Sequence, residues 1–361
     1  MLQTDKISPM QLFMMLILAI GLVQHVTIIP LLLQASQKDA WVGVLLTLPL
    51  MLVWALLPWY IVKHTGHTAL MEWIGDHVGT VAAKCMASVV SLFLLCSAFI
   101  TLKETITWIQ VTFLPQTPLL VTSIVLLALC FYAATKGIKS LVITSGILLP
   151  FVLLFGYFVM GANFEFKRYT LIFPLFENGL LPALKTSVYM GGSVMELLVF
   201  LLMQHHVKKR VKRSHLLITV ALFVCLTLGP LMGSLAAFGM EAPLLRYPSY
   251  EQWRLVTVGK YISHVDFLSI YQWLAGAFIR ISLAIVLLPE VWQIKARPVK
   301  NGLMLGMVGV LLALMAAPLS DISFLAYLSV YYKLSFWLLL LFSLILFMLV
   351  YNQVRRGAKK R

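Results

Sequence analysis

The chain is built of long apolar runs separated by short polar interruptions, and the runs lack a period-two alternation of apolar and polar positions. A helix crossing a bilayer needs about 20 mostly apolar residues, whereas a barrel strand alternates over about ten. The pattern therefore predicts spanning helices. Ten runs qualify: residues 10–33, 40–62, 81–102, 118–135, 141–160, 184–203, 216–238, 267–288, 302–317 and 334–351. Between the second and third runs, Leu70, Met71, Trp73, Ile74 and Val78 predict an amphipathic helix on the membrane surface. The longest remaining stretch, 239–266, holds Tyr247, Pro248, Tyr250, Trp253 and Tyr261 and predicts either short interfacial helices capping the bundle or an irregular loop.

Composition agrees with this pattern. Of 361 residues, 61% are hydrophobic and 11% charged, and mean hydropathy is +0.94. Soluble domains carry roughly 25% charge, and disorder requires still more polarity, so both are excluded. The expectation is one polytopic all-α integral membrane domain over residues 1–361. The first run, from Met10, lacks a small-x-small cleavage site after it and is expected to remain as a span.

The net charge of +15 raises the question of nucleic acid, but its distribution argues against that partner. The basic residues cluster between apolar runs: Lys208, Lys209, Arg210, Lys212 and Arg213; Lys295, Arg297 and Lys300; and Arg355, Arg356, Lys359, Lys360 and Arg361. With the N-terminus inside, the inner segments carry 18 Lys and Arg against 4 Asp and Glu, the outer segments 9 against 8. This asymmetry predicts cytoplasmic termini on both ends and an even number of spans.

No cofactor, metal or enzymatic role is expected. Cys85, Cys96, Cys130 and Cys225 lie in or beside apolar runs without redox or ligand spacing. His64 and His67 read as loop residues, and His205 and His206 as residues at headgroup level. G-x-S-x-G, phosphate-loop and H-E-x-x-H motifs are missing from the sequence. The chemistry on offer is binding.

Ten spans divide into five plus five, and an odd number per set turns the second set over. This predicts an inverted repeat, about 10–160 and 180–351, with a site where corresponding helices break at mid-membrane. Gly21 and Pro30 mark the first span, the pair Gly191-Gly192 the sixth; these glycines serve either local unwinding or close packing. Glu196 and Arg280 are charges at membrane depth, on faces continued by Tyr189, Gly192 and Ser193, and by Gln272, Gly276 and Ala284. They read as a static pair, as a pair that breaks when ligand binds, or, for Glu196, as a proton carrier. Gln24 and His25 share a face with Gly21, and Ser97, Thr101, Glu104 and Thr105 form a polar face on the third span.

Several of these stretches together resemble the spore germination permease family, the B subunits of germinant receptors of endospore-forming bacteria. They are Lys6-Ile7-Ser8-Pro9 with Gln11-Leu12-Phe13, and Asp39-Ala40-Trp41 followed by the apolar residues 42–46. Further along come Met195-Glu196-Leu197-Leu198-Val199-Phe200-Leu201-Leu202 ahead of a basic loop, and Asp266-Phe267-Leu268 with Trp273 and Phe278-Ile279-Arg280. The sequence departs from the family at Val23-Gln24-His25, where a glycine pair is common, and at Met195, where a glycine often precedes the glutamate. The resemblance implies the APC-superfamily fold and its five-plus-five repeat. It also implies a small germinant, an amino acid above all, as ligand. Partners would be a large membrane subunit and a lipoprotein subunit in the spore inner membrane. The expected site comprises Gly21, Gln24, His25, Thr101, Gly191, Gly192 and Ser193, with Glu196 and Arg280 as ion pair or gate. The alternative is a proton- or cation-coupled amino-acid permease of the bacterial cell membrane.

Overall fold

The computed structural model describes residues 6–66, 68–177, 179–257 and 264–359, with side chains described as far as 356. His67, Tyr261, Lys360 and Arg361 lie outside the described residues. The chain is an all-α multi-pass membrane protein. Its helices are α1 (Pro9–Leu22), α2 (Ile29–Ser36), α3 (Ala40–Trp54), α4 (Leu56–Thr65), α5 (Leu70–His77), α6 (Thr80–Thr112), α7 (Leu119–Thr135) and α8 (Ile138–Ala162). They continue as α9 (Leu180–Met195), α10 (Arg213–Phe238), α11 (Pro248–Arg254), α12 (Leu268–Val291), α13 (Arg297–Ala316) and α14 (Asp321–Lys359).

Among the described residues, eight helical stretches are long and apolar enough to cross a membrane. One of them, Pro9–Thr65, is 57 residues long. As a straight helix it would extend about 85 Å, nearly three bilayer cores. It is divided by a turn at Gln37, whose φ is 48°. Another apolar helix, Leu119–Thr135, falls just below spanning length. Each of the ten apolar runs corresponds to a helical segment, but length and apolarity alone qualify eight.

Two boundaries differ from the hydropathy reading. The third run, taken to end at 102, continues as helix to Thr112, because Lys103 and Glu104 interrupt its apolarity without interrupting its backbone. The tenth, taken to begin at 334, starts at Asp321, so Tyr331, Tyr332 and Lys333 lie inside the helix.

The most deeply buried helical segments are Pro9–Thr65, Leu180–His206 and Leu268–Val291. They form the centre of the bundle. The outer helices α8, α13 and α14 present Leu154, Tyr157, Leu305, Leu338 and Leu341 outward, as lipid-facing surfaces do. The surface helix expected near Leu70 is α5, whose Leu70, Met71, Trp73 and Ile74 are buried against the bundle.

Two of the three central segments change type partway. Helix α1 starts with a capping box between Ser8 and Gln11 and Pro9 in its first turn. It then widens into a π segment, Val23–Thr27, in which the Ile28 amide donates to the Val23 carbonyl at 3.1 Å. Pro30 accounts for the widening. It has no amide proton to give the Val26 carbonyl, and its ring would collide with that carbonyl in a regular helix. In the sixth run, α9 passes at Glu196 into an eleven-residue 3-10 segment, Glu196–His206. Runs of more than three or four residues are uncommon in that form, and interruptions of this kind mark hinges or strain. No Gly or Pro occurs between 196 and 206 to cause it.

Contacts identify two faces. On one, Ile7 forms an isolated parallel bridge with Val207, and the Gln353 amide nitrogen lies 3.4 Å from the His77 carbonyl. Both described ends of the chain therefore lie on this terminal face. The opposite face is capped by α11 and a 3-10 turn, Gly239–Leu244. The cap is ordered by aromatic packing: Trp108 stacks on Trp273 at 4.0 Å, and Tyr250 and Tyr247 pack edge-on against them.

Candidate functional site

The π segment meets α10 and the last turn of α9, just ahead of the 3-10 segment. Gln24, on the π segment, accepts at Oε1 from Ser193 Oγ at 3.1 Å and Thr227 Oγ1 at 3.2 Å. One amide thereby joins the first, sixth and seventh runs. All three side chains are buried. The other end of the amide, Gln24 Nε2, is buried and has no hydrogen-bond partner among the described residues. Orphaned buried donors are uncommon and costly, and one located on a π segment is a candidate for ligand contact.

One helical turn beyond Ser193, Glu196 meets the second group of polar residues. Its Oε2 lies 2.6 Å from Arg280 Nη2, and Tyr331 Oη donates to its Oε1 at 3.3 Å. Arg280 Nε donates to Thr101 Oγ1 at 2.9 Å. Glu196 is 1% and Arg280 5% exposed, so the charges are held by each other and these hydroxyls. Four elements, α6, the 3-10 segment, α12 and α14, contribute to this cluster. Because a 3-10 segment rises about 2.0 Å per residue, Glu196 lies about 14 Å from Met203, deeper than an α-helical count of about 10 Å gives.

A cavity of about 20 Å³ adjoins the pair, lined by Glu196, Arg280, Ser97, Phe93, Leu16 and Val199 among others. That is room for a single water-sized molecule. Toward the opposite face, Arg246 grips the Glu104 carboxylate with two bonds of 2.9 and 2.7 Å, and its Nε reaches Asp321 Oδ2 at 2.8 Å. Burial acts to lower the Arg246 pKa, but Glu104 and Asp321 outweigh it and hold the guanidinium above its ordinary value. Burial and the nearby Glu104 carboxylate push the Tyr247 phenol up. Neither group titrates near neutrality. Toward the terminal face, the 3-10 segment is secured by Gln204 to Thr65 and Thr68, and by His206 to Glu290 at 3.0 Å.

The remaining expected residues are placed differently from one another. His25 lies on the cap side of the break: its carbonyl accepts from Ser249 Oγ at 2.7 Å, and its ring is hydrogen-bonded to the Leu226 backbone. Gly21 is buried in regular helix with Leu226 alongside. Gly191 and Gly192 are likewise in regular helix, where unwinding was expected; the helix changes type four residues after Gly192, at Glu196, by tightening into a 3-10 segment. Both are closely packed. A Cβ at Gly192 would collide with the Tyr332 carbonyl, and one at Gly191 with the Phe336 ring.

Sequence reasoning named Glu104 on the polar face of the third span but missed its partners Arg246 and Asp321, and missed Thr227 and Tyr331. Tyr331 precedes the apolar run 334–351 and so carries no hydropathy signal. A better signal was available for Glu104: Thr105, Ile106, Trp108 and Ile109 continue the helix past it.

The match to known proteins covers nearly all of this architecture. The model of the family described as spore germination protein matches residues 6–321. The chain is 38% identical to spore germination protein XB of Bacillus anthracis over 352 residues, 97% of this chain and 98% of that one. It is 25% identical to YfkT of Bacillus subtilis (strain 168) over 273 residues, 73% of this chain and 72% of that protein. A family match from the first helix into the last, with a relative aligned end to end, leaves one assignment: the chain belongs to the spore germination protein family.

Proposed function

We propose that this chain is the germinant-sensing subunit of a spore germination receptor, with an amino-acid-permease fold. A small germinant, an amino acid, binds at mid-membrane beside the π segment and the start of the 3-10 segment. The observation that carries this reading is the contact of Gln24, on the π segment, with Ser193, one turn ahead of the 3-10 segment, next to a buried ion pair. Broken helices at depth free backbone groups for the charged ends of a ligand, as secondary transporters use them. The unpaired Gln24 amide donates to the carboxylate, and a widened cavity beside Glu196 and Arg280 takes the rest.

The cavity is far smaller than the 300–1,000 Å³ usual for ligand sites. Binding therefore requires the first and sixth runs to move against the third, eighth and tenth. In a sensor that movement is the signal, passed to a large membrane subunit and a lipoprotein subunit in the spore inner membrane. The five-plus-five repeat and cytoplasmic termini belong to the same reading.

A deletion strain scored for germination against separate amino acids, sugars and nucleosides tests this function. The expected result is loss of response to one or a few amino acids, restored by the intact gene. Unchanged germination on every germinant, with loss of amino-acid uptake in growing cells, would establish the permease reading instead.

A further inference from the structure

The end of the 3-10 segment carries a cluster that the central site does not use. His205 and His206 are its last two residues, and Glu290 lies in the last turn of α12. Successive residues of a 3-10 helix are about 120° apart, so neighbouring side chains ordinarily diverge. Here the two imidazole centroids are 4.0 Å apart, and both rings turn toward α12. One ligand atom from each of His205, His206 and Glu290 lies within 4.8 Å of the other two. His206 Nε2 meets Glu290 Oε2 at 3.0 Å. His205 Nδ1 is buried with no hydrogen-bond partner among the described residues.

Two imidazoles and one carboxylate are a zinc donor set, with a fourth position left for water. Imidazole nitrogen disfavours calcium and magnesium, which prefer oxygen cages. We propose that His205, His206 and Glu290 bind a divalent transition-metal ion of the zinc type at the terminal face. Binding replaces the His206–Glu290 hydrogen bond with two metal bonds and recruits the orphaned His205 nitrogen. Any proton on His206 passes to solvent, since the ligating imidazole is neutral. Lys300 Nζ, 3.6 Å from Glu290 Oε1, must swing away; its side chain is 30% exposed and free to do so. Lys6 also acts on His205 and opposes the added charge, which limits affinity. The ion would tie the end of the 3-10 segment to α12 beside the Ile7–Val207 bridge, holding the terminal face closed.

This site is independent of the germinant reading, and its test needs no germination assay. Full-length protein in detergent, purified on a tag free of histidine, is titrated with zinc chloride against a chromophoric chelator. One tight equivalent is expected, undisturbed by a large excess of magnesium or calcium. His205→Gln, His206→Gln and Glu290→Gln should each weaken it at least tenfold, in the range that metal-site substitutions produce. His205→Gln is the deciding variant, because it leaves the His206–Glu290 contact in place and so does not disturb folding. Wild-type affinity in that variant, or no zinc bound by the wild type, overturns the proposal.

Discussion

Arg280 and Glu196, 84 residues apart in sequence, lie 2.6 Å apart in the centre of the bundle with their charges almost fully withdrawn from the surface. Removing one member of such a pair leaves a buried charge without compensation, at a cost of about 3–5 kcal/mol. Glu196→Gln and Arg280→Gln should each reduce the amount of protein in the membrane or its thermal stability in detergent. The exchange Glu196→Arg with Arg280→Glu should recover assembly better than either charge reversal alone. Equal loss in the double and single reversals would mean that their surroundings, not their mutual attraction, hold these side chains.

At the helix junction, Gln24→Leu removes both the acceptor for Ser193 and Thr227 and the unpaired donor. Germinant sensitivity should fall at least tenfold, equivalent to about 1.4 kcal/mol, with protein level reduced far less. Ser193→Ala removes the hydroxyl shared between Gln24 Oε1 and the Met190 carbonyl, worth about 1 kcal/mol, and should shift the response in the same direction by less. Dose–response curves unchanged in both variants would remove this junction from the ligand site.

Gly192 has a different consequence. Because a Cβ there would meet the Tyr332 carbonyl, Gly192→Ala should lower the protein level through displaced α14 packing. The surviving protein should respond at the wild-type germinant concentration. A variant that is abundant but insensitive would instead place Gly192 in the binding site.

The Arg246 network makes a prediction about access. Arg246→Gln breaks the bidentate hold on Glu104 and the link to Asp321. A cysteine placed at the buried Thr105, next to Glu104, should then react severalfold faster with a membrane-impermeant maleimide. Equal rates in the presence and absence of Arg246 would show that the aromatic cap alone closes this face.

The two faces can be tested directly. Single cysteines at Arg210 and Glu251 should be labelled from opposite sides of the membrane, with Arg210 on the side of both termini. Labelling of both from one side would refute the arrangement of the helices.

Membrane insertion, helical class and most helix positions were legible because the bilayer imposes them on local sequence. An apolar run of some 20 residues has no alternative that satisfies its backbone groups in lipid. The break in the first helix was legible for a related reason. Pro30 acts on the carbonyl four residues before it, whatever surrounds it. Glu196 and Arg280 stood out because charge is rare at that depth.

What packing alone decided is non-local. Nothing within 196–206 specifies a 3-10 segment, since its apolar residues suit an α-helix equally; the segment packs against α1, α4, α5 and α14. Gly191 and Gly192 read equally as hinge or as packing residues until α14 was placed against them. Glu104 meets Arg246 across 142 residues, and no spacing rule reaches that far. The turning of His205 and His206 to one side likewise depends on α12. Hydropathy and proline sterics act over a few residues and can be read along the chain. Side-chain partners depend on which helices adjoin, and in lipid that is settled by close packing and polar matching between distant segments.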